Sequence, residues 1–549
     1  MQVAQKGPTL KLILSLFIIV LLPGFTLPLF AQQPVTTVVP KDTMRIIQIV
    51  RANSMRHLTI DSLIQYETLA GSVVLKEGLT TFYCDSATLN KATNILEAFG
   101  NVHINDNDSI HTYAQYLKYI GGERRAYLKK MVKLVDRKGG VLLTDDLDYD
   151  LKTGIAKYTK GGQITNENTI LNSSDAVYYG DTRDVYFKKN VHLVDPKYDI
   201  RTDSLQYNLN TNIATFIAPT HIVSKEGVID TRSGTYNLKT GEAIFYDRTS
   251  VSDSATFMIA DKILRDEKKG IIQMEGNAKL VDSSNKITVM GNQVFIDTKL
   301  KTFLATRKPV MILYRDGDST YIAADTLFSG LKKYDSLEKR MVTKGDTLKK
   351  TMVISADKKD TTIRYFLAFY HVRIYNDSLQ SVSDSLHYST ADSIFKLFGS
   401  PVVWNAGTQV TGDTIYMYTE KQKAKRLYVF NNGMIINNAG PSLYNQVAGR
   451  TLNGYFTNGE IDYVRVKGTP AESIFYPQDD DSAFIGMNRS SGDQIDIYFV
   501  RKELNKVKVV NNVDGTLYPM RQIPNDQKQL RNFKWLDKRR PKSKLELFE

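Results

Sequence analysis

Apolar and polar residues alternate along short segments of the chain, and the same alternation returns many times. In "TDSLQYNLNTNIATF" (202–216), Leu205 and Tyr207 fall on one side of a pleated strand, while Ser204 and Gln206 fall on the other. The central "NLNTN" supplies Asn residues, which tolerate the left-handed conformations of tight hairpin turns. Each such segment is therefore predicted to form a strand, a turn and a second strand.

Variants of this segment recur along most of the chain. "TDDLDYDLKTGIAKY" occupies 144–158 and "RSGTYNLKTGEAIFY" occupies 232–246. Copies begin near Asp85, Tyr113, Asp145, Asp175, Asp203, Arg232, Asp261, Asn292, Asp325, Asp384, Asp413, Asn453 and Asp493. A third short strand is predicted after many hairpins, as in "GNVHI" (100–104) and "SPVVW" (400–404). The period of roughly 30 residues indicates a repeat architecture with two to three short strands in each copy.

Each copy is too small to bury its apolar face alone, so neighbouring copies must stack into a common core. The pattern predicts an elongated all-β sandwich, open jelly roll or solenoid with an unpaired strand edge at each end. The interval between Asp325 and Asp384 is doubled and rich in Lys. We therefore expect β repeats over 44–328, an insertion or long loop over 329–363, further repeats over 364–518 and a basic C-terminal tail over 519–549.

The N-terminal residues have the pattern of an export signal. Lys6 and Lys11 precede the apolar run "LILSLFIIVLL", and Ala31 offers a cleavage position. An apolar run of about a dozen residues is shorter than the roughly 20 that span a bilayer, which favours a signal peptide over 1–31. An uncleaved anchor remains the alternative, because Leu29 is not the small residue preferred three positions before cleavage.

Composition and charge narrow the range of partners. The 549 residues are 42% hydrophobic and 24% charged, which is typical of a folded chain, and the net charge of +13 suits an acidic partner. Export argues against nucleic acid. Cys84 is the single cysteine and forms no internal disulfide. It occupies the position of Thr144 and Thr202 in other copies, so we interpret it as a packed strand residue.

Motifs for catalysis, metals and cofactors are missing from the sequence. "DDLDYD" (145–150) resembles the start of a calcium loop, but Leu151 and Lys157 replace the required Gly and Glu. A carbohydrate-active β-helix enzyme is the remaining catalytic alternative, with Asp479, Asp480 and Asp481 as its carboxylates, although their setting predicts a turn. The Asp that opens most copies, such as Asp203, is predicted to bond nearby backbone N–H groups. No enzyme activity, cofactor or metal is expected.

Three stretches carry a family resemblance. "YCDSATLNKATNILEAFGNVHIND", "LLTDDLDYDLKTGIAKYTKGG" and "VDPKYDIRTDSLQYNLNTNIATFIAPTHIVS" resemble the OstA-like proteins of Bacteroidetes-type bacteria. These are relatives of the periplasmic lipopolysaccharide-transport protein LptA and of the N-terminal domain of LptD. The resemblance extends over roughly 46–518. It implies an elongated, repetitive, slightly open β-jelly roll, built as one body or as two consecutive segments.

The resemblance also implies a function in lipopolysaccharide transport and outer-membrane biogenesis. Acyl chains of lipid A would be shielded in an apolar β groove, while sugar and phosphate stay outside. The implied partners are lipopolysaccharide and other transport jelly rolls at the inner and outer membranes, joined edge to edge, with end-to-end self-association also open. The implied location is the periplasm, either free or against the outer membrane. Candidate groove residues are Leu147, Tyr149, Tyr158, Leu205, Tyr207, Phe216, Tyr236 and Phe245.

A structural or adhesive β-repeat envelope protein without lipid cargo is the alternative. In that case the same eight residues form a filled core. The sequence does not distinguish the two, because a groove and a core both need apolar inward faces.

Overall fold

The chain is almost entirely β over the residues that the computed structural model describes, which are 46–59, 65–315, 318–333, 362–420, 423–457, 460–500 and 503–548. Residues 46–549 form one compact unit. The predicted signal peptide and most of the predicted insertion lie outside the described residues. The all-β, repetitive jelly-roll prediction is confirmed, and its strands follow a simple rule.

The strands of the first half of the chain are mostly long, and several are divided into short pieces. In chain order, the first ten are β1 (Gln48–Arg51), β2 (Ser54–Thr59), β3 (Gln65–Glu77), β4 (Thr80–Asn90), β5 (Ile95–Asp106), β6 (Ile110–Ile120), β7 (Arg125–Asp136), β8 (Val141–Asp150), β9 (Ile155–Tyr158) and β10 (Gly162–Asn166). The next ten are β11 (Thr169–Ser173), β12 (Asp175–Tyr179), β13 (Asp184–Val194), β14 (Tyr198–Asn208), β15 (Ile213–Phe216), β16 (Thr220–Ser224), β17 (Gly227–Thr231), β18 (Ser233–Asn237), β19 (Glu242–Tyr246) and β20 (Thr249–Ser252).

The following ten are β21 (Thr256–Ala260), β22 (Lys262–Asp266), β23 (Ile271–Asp282), β24 (Ile287–Asp297), β25 (Thr302–Thr306), β26 (Val310–Arg315), β27 (Asp318–Ala323), β28 (Thr326–Lys333), β29 (Thr362–Tyr375) and β30 (Gln380–Ser389). The last are β31 (Ile394–Phe398), β32 (Val402–Asn405), β33 (Thr408–Thr411), β34 (Thr414–Glu420), β35 (Lys423–Gly440), β36 (Leu443–Thr457), β37 (Glu460–Phe475), β38 (Gly486–Val500), β39 (Glu503–Val510) and β40 (Asp514–Pro519). Four short 3-10 helices follow in the described C-terminal range, η1 (Met520–Gln522), η2 (Asn525–Gln527), η3 (Asp537–Arg539) and η4 (Leu545–Leu547).

The strands form an antiparallel meander whose members each bend once. β4 and β5 pair over 80–83 with 103–106 and again over 86–90 with 95–99, with a register shift between the two ladders. Where the interruption between the two ladders is longer, a bent strand is split into two short strands. β9 and β10 are the two halves of such a strand, and both pair with β8. Two bent strands therefore make one sequence repeat. The sheet is continuous across the interrupted interval, because β28 pairs with β29.

In several copies the predicted third strand is the second half of a bent strand. "GNVHI" lies inside β5, where Gly100 and Asn101 have φ angles of 71° and 45°. Gly276 and Asn277 bend β23 in the same way, with φ angles of 73° and 44°. Gly adopts left-handed conformations freely and Asn tolerates them. The prediction of a separate short strand is therefore wrong for these segments, because the Gly-Asn pairs bend a strand without ending it, and it is confirmed for "SPVVW", which forms the separate strand β32.

The bends divide the meander into two arms. Arm A contains the ladder of 86–90 with 95–99, arm B contains the ladder of 80–83 with 103–106, and later strands continue both. We call the turn end of each arm its tip. The inner faces pack against each other, since the ring of Phe82 in arm B lies 4.7 Å from that of Tyr119 in arm A. The core of the protein lies between the arms.

Asn and Asp side chains build the tip turns of arm A, as predicted. Asn208 Oδ1 accepts hydrogen bonds of 2.9 Å from the backbone N–H groups of Asn210 and Thr211. Asp150 Oδ1 accepts equivalent bonds from the two residues that follow Leu151. These side chains satisfy backbone donors that the turn leaves unpaired.

The Asp that opens most copies joins neighbouring strands at their bends. Asp203 lies inside β14 and does not start a turn. Asp85 and Asp261 accept hydrogen bonds of 2.9 and 2.7 Å from the side-chain amides of Asn101 and Asn277, which sit at the bend of the neighbouring strand. The carboxylate therefore fastens the corner between two bent strands. The prediction of bonds to backbone N–H groups holds for Asp145, which accepts from Met131 N–H at 3.4 Å, but not for Asp85 and Asp261, which bond side-chain amides instead.

The C-terminal segment 520–548 lies across the outer face of arm B, and we call it the strap. Its Leu530 and Leu547 are 3% and 2% exposed, and both pack into apolar clusters with arm B side chains. The Gln446 amide bonds the strap backbone twice, at 2.9 and 2.8 Å. Gln409 makes the same two bonds further along, at 2.8 and 2.7 Å. The strap is thus a packed element of the fold, although its sequence is basic.

Candidate functional site

The eight predicted groove residues lie on the inner face of arm A in the first half of the meander. Leu147, Tyr149, Tyr158, Leu205, Tyr207, Phe216, Tyr236 and Phe245 are each at most 2% exposed. All eight belong to one contiguous apolar cluster that draws on both arms. In this region the two arms close on each other, and the side chains fill the space between them.

A row of tyrosines lies on the inner face of arm A, close to its tip. Cross-strand pairing places Tyr119, Tyr149, Tyr178, Tyr207 and Tyr236 in this row, with Ala126, Ala156, Val185, Ala214 and Ala243 between them. A large ring next to a small side chain allows neighbouring strands to pack without voids or overlap. We call this set the tyrosine row.

Hydroxyl groups of the tyrosine row bond to carboxylates at the tip of arm B. Tyr119 donates to Glu77, Tyr149 donates to Asp106 at 3.3 Å, and Tyr178 donates to Asp136 at 3.2 Å. We call these three pairs the tip latches. Burial raises the pKa of all three phenols, and the adjacent carboxylates raise it further, so each phenol stays a protonated donor. Arg183 also pairs with Asp136 at 2.7 Å, which supplies the buried carboxylate with a countercharge.

The bonds between the arm tips end shortly after the tyrosine row. Arg265 follows Tyr236 in the row and pairs with Glu226 at the tip of arm B, and Tyr198 of arm B donates to Glu267 of arm A at 2.9 Å. Ile296 comes next and is apolar. Beyond them an open cleft of 280 Å³ lies between the arms. Its apolar lining consists of Ile287, Met311, Leu313 and Ile322 from arm B, and Phe366, Leu386, Tyr388 and Phe395 from arm A.

The rim of the cleft is basic. Lys286 at the tip of arm B and Arg364 at the tip of arm A line it, and its described lining contains no Asp or Glu. Arg364 donates to Ser329 Oγ at 3.2 Å, which orients its guanidinium. An apolar interior below two cations suits a ligand with an apolar body and an anionic head.

Sequence reasoning did not select the cleft residues. Leu313, Phe366, Tyr388 and Phe395 lie on either side of the interrupted interval, where the repeat is hardest to follow. The sequence nevertheless contains a pattern that ends just before the cleft. A tyrosine occurs two residues before each tip turn of arm A from Tyr119 to Tyr236, and this spacing then stops.

The acidic candidates from the sequence have structural partners. Asp146 pairs with Lys160 at 2.9 Å, Asp148 pairs with Arg125, and Asp150 caps a turn. Asp479 Oδ1 accepts backbone N–H bonds within its own turn. Within the described part of the chain, no group of three or more His, Cys, Asp and Glu side chains is arranged to hold a metal ion.

Cys84 is buried, with 5% of its surface exposed. Burial raises its pKa to about 12, and the charge of Asp85 adds to the shift. The reactive thiolate is therefore disfavoured at neutral pH. Of the helices in the described ranges, none is long and apolar enough to cross a membrane.

Comparison with known proteins connects the chain to a family and to a solved structure. The model of the family described as OstA-like protein matches residues 45–203 and 200–261. No curated protein sequence matches the chain. Among solved structures, the crystal structure of LptH, the LptA-homologous periplasmic component of the lipopolysaccharide transport device of Pseudomonas aeruginosa, is 19% identical, with a TM-score of 0.19, over 21% of this chain and 84% of that one. The family match covers the closed region with its tyrosine row and tip latches, and we call residues 45–261, which are similar to this family, the OstA-like region.

Proposed function

We propose that the protein is a non-enzymatic component of lipopolysaccharide transport that shields acyl chains from water between its arms. The single observation that carries this proposal is the cleft, where an apolar lining of both arms lies below Lys286 and Arg364. The OstA-like region and the two-armed repeat fold support it. The location that fits this function is the periplasm, with or without contact to the outer membrane.

The size of the cleft fits part of an acyl chain. At roughly 30 Å³ per water-sized group, 280 Å³ holds on the order of nine such groups. Each methylene removed from water contributes about 0.8 kcal/mol, so nine contribute on the order of 7 kcal/mol before the cost of association. That magnitude supports reversible holding of one chain segment.

The eight predicted groove residues extend the same apolar face towards the N-terminal end. We propose that cargo contacts Leu147, Tyr149, Tyr158, Leu205, Tyr207, Phe216, Tyr236 and Phe245 only when the arms part in that region. Such parting requires the tip latches to break, because they join the tips of the two arms.

The strand edges are the proposed sites for neighbouring jelly rolls. β1 and β2 pair with β3 on one side, and Val50, Met55 and Leu58 on them are 60%, 60% and 54% exposed. β39 and β40 form the other end of the meander. An edge strand with exposed apolar side chains suits continuation of the sheet by a second β protein or a second copy.

A structural or adhesive envelope protein is the second candidate. It is favoured by the burial of all eight predicted groove residues, each at most 2% exposed. Under this alternative the space between the arms is a filled core that carries no lipid.

Site-specific photo-crosslinking in cells tests the proposal. A photoreactive residue at Leu313 or Phe395 in the cleft is expected to give a covalent lipopolysaccharide adduct, whereas the same residue at Lys157 on the outer face of arm A is not. Adducts at Leu205 and Phe216 as well would mean that the arms open along the closed region. Absence of any adduct, in a strain where a known carrier is crosslinked, would favour the scaffold alternative.

A further inference from the structure

Tyrosines and arginines crowd the outer face of arm A on its last strands. Cross-strand pairing places Tyr418, Arg426, Tyr455, Tyr463 and Tyr498 in one row. The adjacent row contains Tyr416, Tyr428, Asn453, Arg465 and Asp496. We call these two rows the tyrosine–arginine face. It lies on the side of the sheet opposite to the cleft and was not selected from the sequence.

Arg426 is held at the centre of this face. Its guanidinium lies 5.5, 5.3 and 5.7 Å from the ring centroids of Tyr418, Tyr428 and Tyr455. It also donates two hydrogen bonds to Asn453 Oδ1, one of them at 3.0 Å. Three aromatic neighbours and an amide fix the position of the cation, so little side-chain entropy remains to be lost when a ligand binds.

The charge of Arg426 is not neutralised by a neighbour, in contrast to comparable arginines. Arg125 also lies over a tyrosine on the outer face of arm A, but it is bonded to Asp148. Arg465 lies over Tyr463 and is bonded to Asp496 at 3.0 Å. Where those two have a carboxylate, Arg426 has a neutral amide. In the described part of the chain no carboxylate lies within ion-pair distance of it.

Hydrogen-bond donors surround Arg426, and further cations lie at the end of the same face. The hydroxyls of Tyr418, Tyr428 and Tyr455 have no hydrogen-bond partner among the described residues, and Tyr455 is 39% exposed. Lys506 and Lys508 lie on β39, beyond β36, β37 and β38, and are paired in register with Tyr498 and Asp496. Phenol and guanidinium groups together offer donors to the oxygen atoms of an anionic ligand.

We propose that the tyrosine–arginine face binds an anionic oligosaccharide, with a carboxylate or phosphate on Arg426 and sugar hydroxyls on the phenols. Arg426 on β35 and the two lysines on β39 are four strand spacings apart, roughly 19 Å at about 4.8 Å per strand, which suits a ligand whose charges repeat along a chain. The rings of Tyr455 and Tyr463 face each other at 5.6 Å and 26°. Because each of these two rings already covers one face of the other, the surface is better suited to polar sugar edges than to stacked bases. This site is independent of the cleft and of the proposed lipid cargo.

Binding of defined oligosaccharides to the full chain tests this site. The probes are pentagalacturonate and maltopentaose phosphate, with neutral maltopentaose as the uncharged comparison. We expect measurable binding of at least one charged probe that weakens as salt is raised, because the site is at the surface. Maltopentaose is expected to bind at least tenfold more weakly.

The variants separate a ligand site from a structural cluster. Arg426→Ala is expected to weaken binding of the charged probe by about tenfold or more, since a hydrogen bond to a charged group is lost. The triple change Tyr418→Phe, Tyr428→Phe and Tyr455→Phe keeps the rings and removes the hydroxyls, and is expected to weaken binding about threefold to tenfold. Arg125→Ala is the matched control and should change binding less than twofold, because Arg125 is already paired with Asp148.

Three results would overturn the proposal. One is equal binding by the Arg426→Ala and Arg125→Ala proteins. Another is no binding of either charged probe by a protein whose folding is confirmed by circular dichroism. The third is binding to phosphatidylglycerol vesicles together with no binding to the charged sugars, which would identify the face as a lipid-surface contact. Failure of lipopolysaccharide crosslinking at Leu313 would not affect any of these measurements.

Discussion

At the scale of single residues, the tyrosine row combines two roles. Its rings pack in the core, and three of its hydroxyls hold the tips of the two arms together. The ring of each tyrosine fills the space beside an alanine or valine, and in three repeats the hydroxyl extends to the other arm. Because partners in a latch lie on different arms, the hydroxyl stabilises the closed arrangement specifically. The ring alone would stabilise the core in either arrangement.

The change Tyr178→Phe tests the role of a latch hydroxyl. It removes the 3.2 Å bond to Asp136 and keeps the ring. The loss of one hydrogen bond to a charged acceptor is expected to cost about 1.5–3 kcal/mol, offset in part because Arg183 still pairs with Asp136. The measurement is hydrogen exchange at the tips of β7 and β12, together with the urea midpoint. Tyr186→Phe on the outer face is the control, and equal effects of both changes would contradict the latch.

Cys84 gives a prediction about alkaline pH. Its folded pKa is about 12 and its ordinary value is 9.0, so above pH 9 the unfolded chain loses a proton that the folded chain keeps. The free energy of unfolding should then fall by up to about 1.4 kcal/mol per pH unit between pH 9 and 12. The change Cys84→Thr should remove this contribution, because Thr144 and Thr202 occupy the same position and bond the backbone at 2.7 and 3.1 Å.

The measurement compares urea unfolding of the two proteins from pH 8 to 11. Buried tyrosines such as Tyr158, whose pKa is also about 12, lower stability equally in both, so the difference isolates Cys84. Identical slopes would show that the thiol titrates in the folded protein. Rapid alkylation of native Cys84 by iodoacetamide at pH 8 would lead to the same conclusion.

At the scale of elements, the strap shows how a sheet face changes character along the meander. Val402, Val403 and Trp404 of β32 are all buried, so both faces of this strand are covered. Val403 faces the core between the arms, and its two neighbours belong to a separate cluster with Leu536 of the strap. Apolar residues on both faces of a strand require a cover on each side. The strap covers the outer face of β32.

The change Gln409→Ala tests whether the Gln amides hold the strap. It removes two bonds to the strap backbone, at 2.8 and 2.7 Å, together with the 3.3 Å bond from the Trp404 indole N–H, and leaves a partly buried N–H and C=O of the strap unpaired. The change is expected to destabilise packing of the strap against arm B by about 1–3 kcal/mol. The measurements are tryptophan emission, which should shift to the red as Trp404 becomes exposed, and tryptic cleavage after the basic residues near 540.

The control for the strap is Gln163→Ala. Gln163 also lies on the outer face of arm B, but it bonds Asn172 in a region that the strap does not reach. This change should leave emission and cleavage as in the unaltered protein. Faster cleavage of the tail in the Gln163→Ala protein, or none in the Gln409→Ala protein, would contradict the proposed holding role.

The limits of sequence reasoning are also clearest at this scale. Alternation and turn chemistry predicted the strands and the tip turns, because both depend on neighbours within a few residues. The bends were missed because Gly-Asn pairs such as Gly100 and Asn101 have the same residue types as hairpin turns. The latches join residues 42 or 43 positions apart, and such pairs follow only from the facing of the arms.

The strap and the groove residues illustrate the same limit. The charge of "KRRPKSK" (538–544) favoured a solvated tail, and the opposing signal lay over 100 residues earlier, in "SPVVW". Pleat alternation placed Leu205 and Tyr207 on an inner face, where the structure has them. Whether these side chains contact lipid depends on the separation of the two arms, and no local sequence pattern encodes that separation. Lipid contact by these residues therefore stays a prediction.

At the scale of the whole repeat array, a closed region and an open region follow from the same inner faces. Bonds between the arm tips extend from Glu77 to Glu267, whereas the cleft around Leu313 and Phe395 has an apolar lining with basic residues at its rim. Under the proposed function, the N-terminal repeats would provide a stable frame, and the later repeats a surface that exchanges contacts with water for contacts with lipid.

Hydrogen exchange with and without lipopolysaccharide tests this division. If cargo occupies the cleft and the latched region stays closed, added lipopolysaccharide should slow exchange in β24, β26, β29 and β30, which line the cleft. Exchange in β4 to β8 should stay unchanged, because their ladders are buried behind intact latches and gain no contact. Slower or faster exchange in β4 to β8 would instead mean that lipid enters between the latched arms. In that case the effect should grow in the Tyr178→Phe protein, since one latch is weaker there, and the tip latches would then act as gates along a continuous path.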